Sequence, residues 1–277
     1  MWTPDGTLYV TETGGRRITA IAPDGSKRAF AETGGSPNGA AFGPGGYLYI
    51  ANNGGEEPGY IQRIDSDGRV EILYNECDGQ PFHGPNDLVF DAQGGFYFTD
   101  PAYATREGVK SGHVYYAAGD GSGVRRLQYY FYFPNGIALS ADDSTLYVME
   151  SLTSRIWAIP IESPGALAQV DAGARAFAPR GGWPNKALLT TVPQPAQPDG
   201  LCLDEAGNLL VAAHGSGSLS VHAPDGTPLS RIEVDDERVT NCCFGGDDFR
   251  TLYITLSGVG RVVTTRWERS GLRLNWQ

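Results

Sequence analysis

Four side chains with an oxygen donor stand at the same place in a recurring phrase: Asn38, Asn86, Asn135 and Asp199. Each follows a proline and precedes one small or polar residue and an apolar triplet. The copies are Pro37-Asn38-Gly39-Ala40-Ala41-Phe42, Pro85-Asn86-Asp87-Leu88-Val89-Phe90, Pro134-Asn135-Gly136-Ile137-Ala138-Leu139 and Pro198-Asp199-Gly200-Leu201-Cys202-Leu203. A weaker copy, Val239-Thr240-Asn241-Cys242-Cys243-Phe244, puts Thr240 there. Amide carbonyls with one carboxylate suit a hard cation such as Ca²⁺. The imidazole or thiolate that zinc prefers does not occur at this position. The competing account is that Asn and Asp form turns between the proline and a strand. It explains each copy alone, and duplication of the repeat would also copy the residue. It does not explain why the repeated position should be the one nearest a common axis.

The elements that must position these residues are short strands. Each copy leads through a turn into a second strand, as in Tyr47-Leu48-Tyr49-Ile50, Phe96-Tyr97-Phe98, Leu146-Tyr147-Val148, Leu209-Leu210-Val211 and Leu252-Tyr253-Ile254. Copies start roughly 40 to 65 residues apart, the period of a four-stranded propeller blade. Further strands at period two follow, among them Arg17–Ile21, Tyr60–Ile64, Val114–Tyr116, Arg155–Ile159 and Ser218–Val221. The pattern predicts an all-β, six-bladed β-propeller, with residues 1–277 as one domain. A sixth copy is partial: Thr3–Val10 matches a turn and a second strand, which puts Trp2 at the position of Phe42. The first blade is therefore expected to be truncated at the N-terminus, its inner strand starting upstream of Met1. The segment from Glu162 to Gln197 is the least strand-like and is expected to be a long excursion on one face.

Composition agrees. The chain of 277 residues has Gly 38 and Pro 18, which suits many tight turns. Its net charge of −11 makes nucleic acid and anionic lipid poor partners. No apolar run approaches the roughly 20 residues that span a bilayer. The opening Met1–Gly6 has no basic region and no apolar stretch, so it is not a signal peptide. A cytoplasmic location is the expectation, with a leader upstream of Met1 left open. Cys77, Cys202, Cys242 and Cys243 have no zinc spacing. The last three lie in apolar runs and are expected to be reduced, with a bridge to Cys77 as the alternative.

The phrases Pro85-Asn86-Asp87, Phe133-Pro134-Asn135-Gly136, Gln197-Pro198-Asp199-Gly200-Leu201 and Thr240–Gly246 resemble the senescence-marker-protein/gluconolactonase family, the regucalcin-like lactonases. The strand ending Phe98-Thr99-Asp100-Pro101 is similar to its bacterial gluconolactonases. The resemblance runs in register from Trp2 to about Leu256. It implies a six-bladed propeller with one catalytic divalent cation, held by a Glu, two Asn and an Asp. The last three fall on Asn86, Asn135 and Asp199. The Glu belongs to a Glu-Gly-Pro-x-Trp motif whose Trp matches Trp2, so it would lie three residues upstream of Met1; Glu12, at the end of a second strand, cannot replace it. A version extended at the N-terminus is expected to bind Ca²⁺ more tightly, and equal affinities by calorimetry would refute this. Ca²⁺ is the expected cation, with Zn²⁺, Mn²⁺ and Mg²⁺ as alternatives. The resemblance further implies hydrolysis of a small lactone, with Asp199 as general base or nucleophile.

Other candidates follow from position. Asn38 shares the repeat position and is a candidate substrate contact. His83, just before the Asn86 phrase, is expected at the pocket mouth, with a plain loop histidine as the alternative. His214 is read as ending an inner strand of the fifth blade and facing substrate. Asp100 and Glu150 end second strands, where solvent-exposed turns are the blander account. The aromatic run Tyr129–Phe133 is expected to pack as a strand. Two further functions compete with the lactonase: an organophosphate-hydrolysing propeller, and a non-catalytic propeller that binds protein or carbohydrate. A strictosidine-synthase-like propeller is disfavoured, because those enzymes lack this metal set.

Overall fold

A computed structural model describes residues 1–101, 111–127, 130–168, 187–193 and 195–277. Six antiparallel sheets follow one another along the chain as the blades of a β-propeller. Blade 1 comprises Leu8–Glu12, Arg17–Ile21 and Lys27–Glu32, and blade 2 comprises Pro37–Phe42, Leu48–Asn52, Tyr60–Ile64 and Val70–Tyr74. Blade 3 comprises Leu88–Phe90, Gly95–Asp100, His113–Ala118 and Val124–Arg126. Blade 4 comprises Pro134–Leu139, Thr145–Glu150 and Arg155–Ser163, with Ala187–Thr191 on the outer edge. Blade 5 comprises Gln197–Leu203, Leu209–His214, Ser218–His222 and Pro228–Glu233, and blade 6 comprises Val239–Gly245, Thr251–Leu256 and Arg261–Arg266. Among the described residues no helix is long and apolar enough to cross a membrane.

The strands form because apolar residues alternate, and both faces of each sheet meet a neighbouring blade. Phe96 and Phe98 pack with Tyr49 and Phe82 between blades 2 and 3, while Tyr97 packs with Ile137 and Val148 between blades 3 and 4. Consecutive residues of one strand thus serve two different seams, as a side-chain period of two requires. Leu201 and Met149 fill the seam between blades 4 and 5. A further cluster joins Leu210 and Leu219 of blade 5, Phe244 and Ile254 of blade 6, and Trp2 and Leu8 at the first blade. The ring closes there, with Trp2 edge-on to Phe249 at 5.9 Å and against Gly245, whose lack of a Cβ admits the indole.

Blades 1 and 6 have three strands each, and at the inner position of blade 1 Trp2 forms a bridge to Leu8. The segment read as an excursion contributes more than expected, since Ala187–Thr191 pairs with Arg155–Ala158 as the outer strand of blade 4. Residues 169–186 and 194 lie outside the described residues. The aromatic run is not a strand: Phe131 is buried, Tyr130 and Tyr132 are exposed, and Phe133 turns at φ 62°. Tyr129 lies outside the described residues.

The C-terminal segment crosses the face of the ring at the far ends of the inner strands. Leu272 N donates to Leu203 O of blade 5 at 2.8 Å, and Trp276 Nε1 to Asp91 O beside blade 3 at 2.8 Å. Asn275 Nδ2 reaches Phe90 O at 3.1 Å, and Gln277 Nε2 reaches Trp2 O at 2.9 Å.

Candidate active site

The proline–Asx phrase is a β-bulge. The pairing of the inner with the second strand shifts register between Pro37 and Ala40, between Pro134 and Ile137, and between Pro198 and Leu201. The residues skipped are Asn38-Gly39, Asn135-Gly136 and Asp199-Gly200. A bulge releases side chains from the pleat and re-aims them, which is why bulges gather beside active sites. Proline suits the entry, since it ends ladder donation before the bulge. In blade 6 the shift falls between Val239 and Asn241, but Thr240 is committed to a hydroxyl bond with Thr255 at 2.9 Å.

Hydroxyls bridge the seams of blades 1 and 2, 3 and 4, and 4 and 5. Thr13 Oγ1 donates to Pro37 O at 2.8 Å, Thr99 Oγ1 to Asn135 O at 2.7 Å, and Ser151 Oγ to Pro198 O at 2.6 Å. Gly39 N donates to Asn86 O at 2.6 Å across the seam of blades 2 and 3. Asn86, Asn135 and Asp199 stand at the inner-strand entries of three successive blades. Asn86 and Asn135 are buried and Asp199 is partly buried, so none of the three is an outward surface residue.

Asn135 is the most informative of them. Its Nδ2 donates to Ser151 Oγ at 3.1 Å, and Ser151 is itself tied to Pro198 of blade 5. Its Oδ1 is buried and has no hydrogen-bond partner among the described residues. A buried amide carbonyl without a partner costs about 1–3 kcal/mol, so its orientation calls for a ligand. The Asn135 side chain also interacts with the Asp199 carboxyl. Burial, with the nearby Asp87 charge adding to it, pushes the Asp199 carboxyl up to about 8 against the opposing interactions of the Asn135 side chain and the Gly200 backbone. A carboxylate short of positive charge beside an unpartnered carbonyl oxygen fits a hard cation. Among the described residues no three His, Cys, Asp or Glu side chains converge as a metal cluster; the candidate set depends on asparagine amides instead.

Asp87 was not singled out by the sequence, although a signal was present. It occupies the repeat column where Gly39, Gly136 and Gly200 stand. A Cβ built on Gly39, Gly136 or Gly200 would meet the same column of the following blade, and Gly39 leaves the space that Asp87 fills. Asp87 Oδ1 accepts from Leu88 N at 2.9 Å, and burial pushes its carboxyl up to about 7. Asn241 fills the same column in blade 6, with its Oδ1 accepting from Cys242 N at 2.8 Å. Both side chains line a cavity of ≈ 90 Å³ on the axis, which Leu272, Leu274 and Gln277 also line.

Asp100 and Glu150 are not exposed turn residues: both are 0% exposed. Asp100 Oδ2 accepts from His83 N at 3.0 Å and Oδ1 from Gly84 N at 2.7 Å. Glu150 Oε2 accepts from Tyr132 N at 3.0 Å and Oε1 from Thr153 Oγ1 at 2.5 Å. Asn52 does the same in blade 2, accepting from Ser36 N at 2.7 Å and Gly54 N at 3.0 Å. Each closes the loop that delivers a proline–Asx phrase. Period-two reading located these strand ends but not the loops folded over them.

The histidines separate. His83 has a side chain 49% exposed, with Nδ1 3.7 Å from Asp100 Oδ2, on the loop entering Asn86. His214 ends the second strand of blade 5, opposite Gln197, not an inner strand as its run of apolar neighbours implied. Asn38 is partly buried in the blade 2 bulge, one blade before Asn86.

Comparison with known proteins agrees with the propeller fold. The model of the SMP-30/Gluconolactonase/LRE-like region matches residues 1–258. A gluconolactonase of Zymomonas mobilis is 31% identical, over 92% of this chain and 69% of its own. Diisopropyl-fluorophosphatase of Loligo vulgaris is 29% identical, over 75% of this chain and 65% of its own. The chain thus spans about two thirds of the length of these relatives. The solved structure of a gluconolactonase from Xanthomonas campestris superposes with a TM-score of 0.76 at 27% identity, covering 95% of this chain and 82% of that one. The chain belongs to the SMP-30/gluconolactonase/LRE-like family.

Proposed function

We propose that this protein is a divalent-cation-dependent hydrolase that opens small lactones of the sugar type. The observation that carries the proposal is the pair formed by the unpartnered Asn135 Oδ1 and the Asp199 carboxyl in a chain of this family. Asn86, Asn135 and Asp199 would hold the cation, Ca²⁺ by the hardness of their oxygens. When bound, the cation supplies Lewis-acid polarisation of the lactone carbonyl and offsets negative charge around Asp199.

The chain's own residues do the rest. Asp199 takes the proton of the water that attacks the carbonyl carbon and returns it to the ring oxygen, which leaves as a hydroxyl as the acyl C–O bond of the ring breaks. Ser151 fixes the Asn135 amide so that its carbonyl oxygen, not its NH₂, faces the axis. Burial, with the Asp87 charge adding to it, keeps the Asp199 carboxyl basic enough to take a proton near neutral pH. Asp100 and Glu150 clamp the two loops that set Asn86 and Asn135.

The test is hydrolysis of glucono-1,5-lactone, above the spontaneous rate, with chelator and after added Ca²⁺. Activity that chelator abolishes, Ca²⁺ restores and Asp199→Asn lowers by about 10²-fold or more supports the reading. A phosphotriester assayed alongside addresses the organophosphatase alternative, which the Loligo relative favours. Turnover of neither substrate, with no Ca²⁺-dependent change in thermal stability, would leave a binding propeller as the better account.

A further inference from the structure

The sulfurs of Cys202 and Cys242 lie 3.2 Å apart. Cys202 belongs to the inner strand of blade 5 and Cys242 to the inner strand of blade 6. These strands sit in different sheets and share no ladder of backbone hydrogen bonds, so the contact is made across a seam by side chains. Cys242 Sγ also donates to Leu210 O at 3.3 Å, which holds it at that seam. Cys243 is adjacent in the same strand, and successive strand residues point to opposite faces. Cys77 is buried elsewhere, with Sγ directed at Asp78 and Val124 O, both at 3.7 Å. All four cysteines are free, yet only this pair is placed for a bond: closing from contact to the S–S length of about 2.05 Å needs a shift of about 1 Å.

Both sulfur-bearing residues line the axial cavity, which is large enough for solutes of the size of water. We propose that Cys202 and Cys242 form an oxidative modification site, cross-linked across the seam of blades 5 and 6 by a small hydroperoxide. One thiol sulfur, that of the partly exposed Cys202, attacks a peroxide oxygen. An S–O bond forms, the O–O bond breaks, and one water leaves. The Cys242 sulfur then displaces the hydroxyl; the S–S bond forms, the S–O bond breaks, and a second water leaves. Two thiols lose two electrons and two protons, and one hydrogen peroxide becomes two waters. Burial holds the Cys202 thiol well above its usual pKa, so the reaction is slower than at an exposed cysteine. The bond would tie the strand of Asp199 to the three-stranded last blade, closing a loop between residues 40 apart.

The folded protein is treated with hydrogen peroxide, its remaining thiols are alkylated, and its intact mass and peptides are mapped. The expected result is loss of the mass of two hydrogen atoms, two fewer alkylated thiols, and a linked peptide pair containing Cys202 and Cys242. A thiol reductant reverses all three, and the oxidised form melts about 5 °C higher. Cys202→Ala and Cys242→Ala each abolish the link, while Cys77→Ser retains it. Oxygen addition at Cys202 without a link, a Cys242–Cys243 bond, or unchanged mass overturns the proposal. None of these readouts involves turnover or metal, so the outcome is independent of the lactonase reading.

Discussion

The carboxylate of Asp87 occupies the space that Gly39, on the preceding blade, leaves by having no side chain. A Cβ at Gly39 would overlap Asp87 Oδ1 and its Cα, and would also press on Asn86 O. Backbone cannot yield there, because Gly39 N donates to Asn86 O at 2.6 Å. Gly39→Ala should therefore destabilise the fold by about 2 kcal/mol and lower the Tm. Thermal denaturation checks this; an unchanged Tm would show that the inner strands slide freely.

The paired carboxyls set a pH dependence. Burial raises Asp87 to about 7 and Asp199 to about 8, from the usual 3.8. Groups raised on folding bind protons more tightly in the folded chain, so their contribution favours the fold at low pH and is lost as pH rises toward about 8. Without divalent cation, the Tm should fall between about pH 5 and pH 8, and Asp199→Asn should flatten the slope. Added Ca²⁺ should raise the Tm more at pH 8 than at pH 5, because it binds the ionised form. Melting curves with chelator and with Ca²⁺ decide; a Tm that climbs with pH in chelator contradicts the argument.

Asp100 acts at a distance. It takes the N–H groups of His83 and Gly84, just before Pro85 and Asn86. Asp100→Ala would strand two donors and should cost about 3 kcal/mol. The milder Asp100→Asn keeps the volume and should weaken Ca²⁺ binding about tenfold. Calorimetry on Asp100→Asn is the measurement, and unchanged affinity would confine Asp100 to a structural role.

Ser151 links two blades and one amide. Ser151→Ala leaves Pro198 O without its donor and frees the Asn135 side chain to rotate. The expected cost is about 1–3 kcal/mol, with Ca²⁺ affinity falling more than after Thr13→Ala, which breaks the analogous clamp to Pro37 in blade 2. Equal affinities in the two variants would argue against a special place for Asn135.

Much of this was legible before any coordinates. The repeated proline–Asx phrase and the period-two strands gave the propeller, the phrase marked Asn38, Asn86, Asn135 and Asp199, and the family resemblance named the last three as candidate ligands. Asp87 was legible in principle, as the acidic residue in a column of glycines, but only once that column is known to pack against the neighbouring blade. Asp100 and Glu150 were placed correctly at strand ends and misread as exposed, because burial there comes from loops folded back over them. His214 was misassigned because its neighbours Ala212 and Ala213 are as apolar as an inner strand's, although they belong to a second strand buried by adjacent blades.

The sequence by itself determined the period of the chain, and so the number of blades and which side chains recur at the axial entry. That information is local: turn chemistry, alternation and spacing operate within one blade. Tertiary structure alone decided which recurring oxygen is left without a partner, which carboxyl crowds Asp199, and which two thiols meet. Those facts depend on contacts between blades, where residues 36 to 47 positions apart are joined by single hydroxyls.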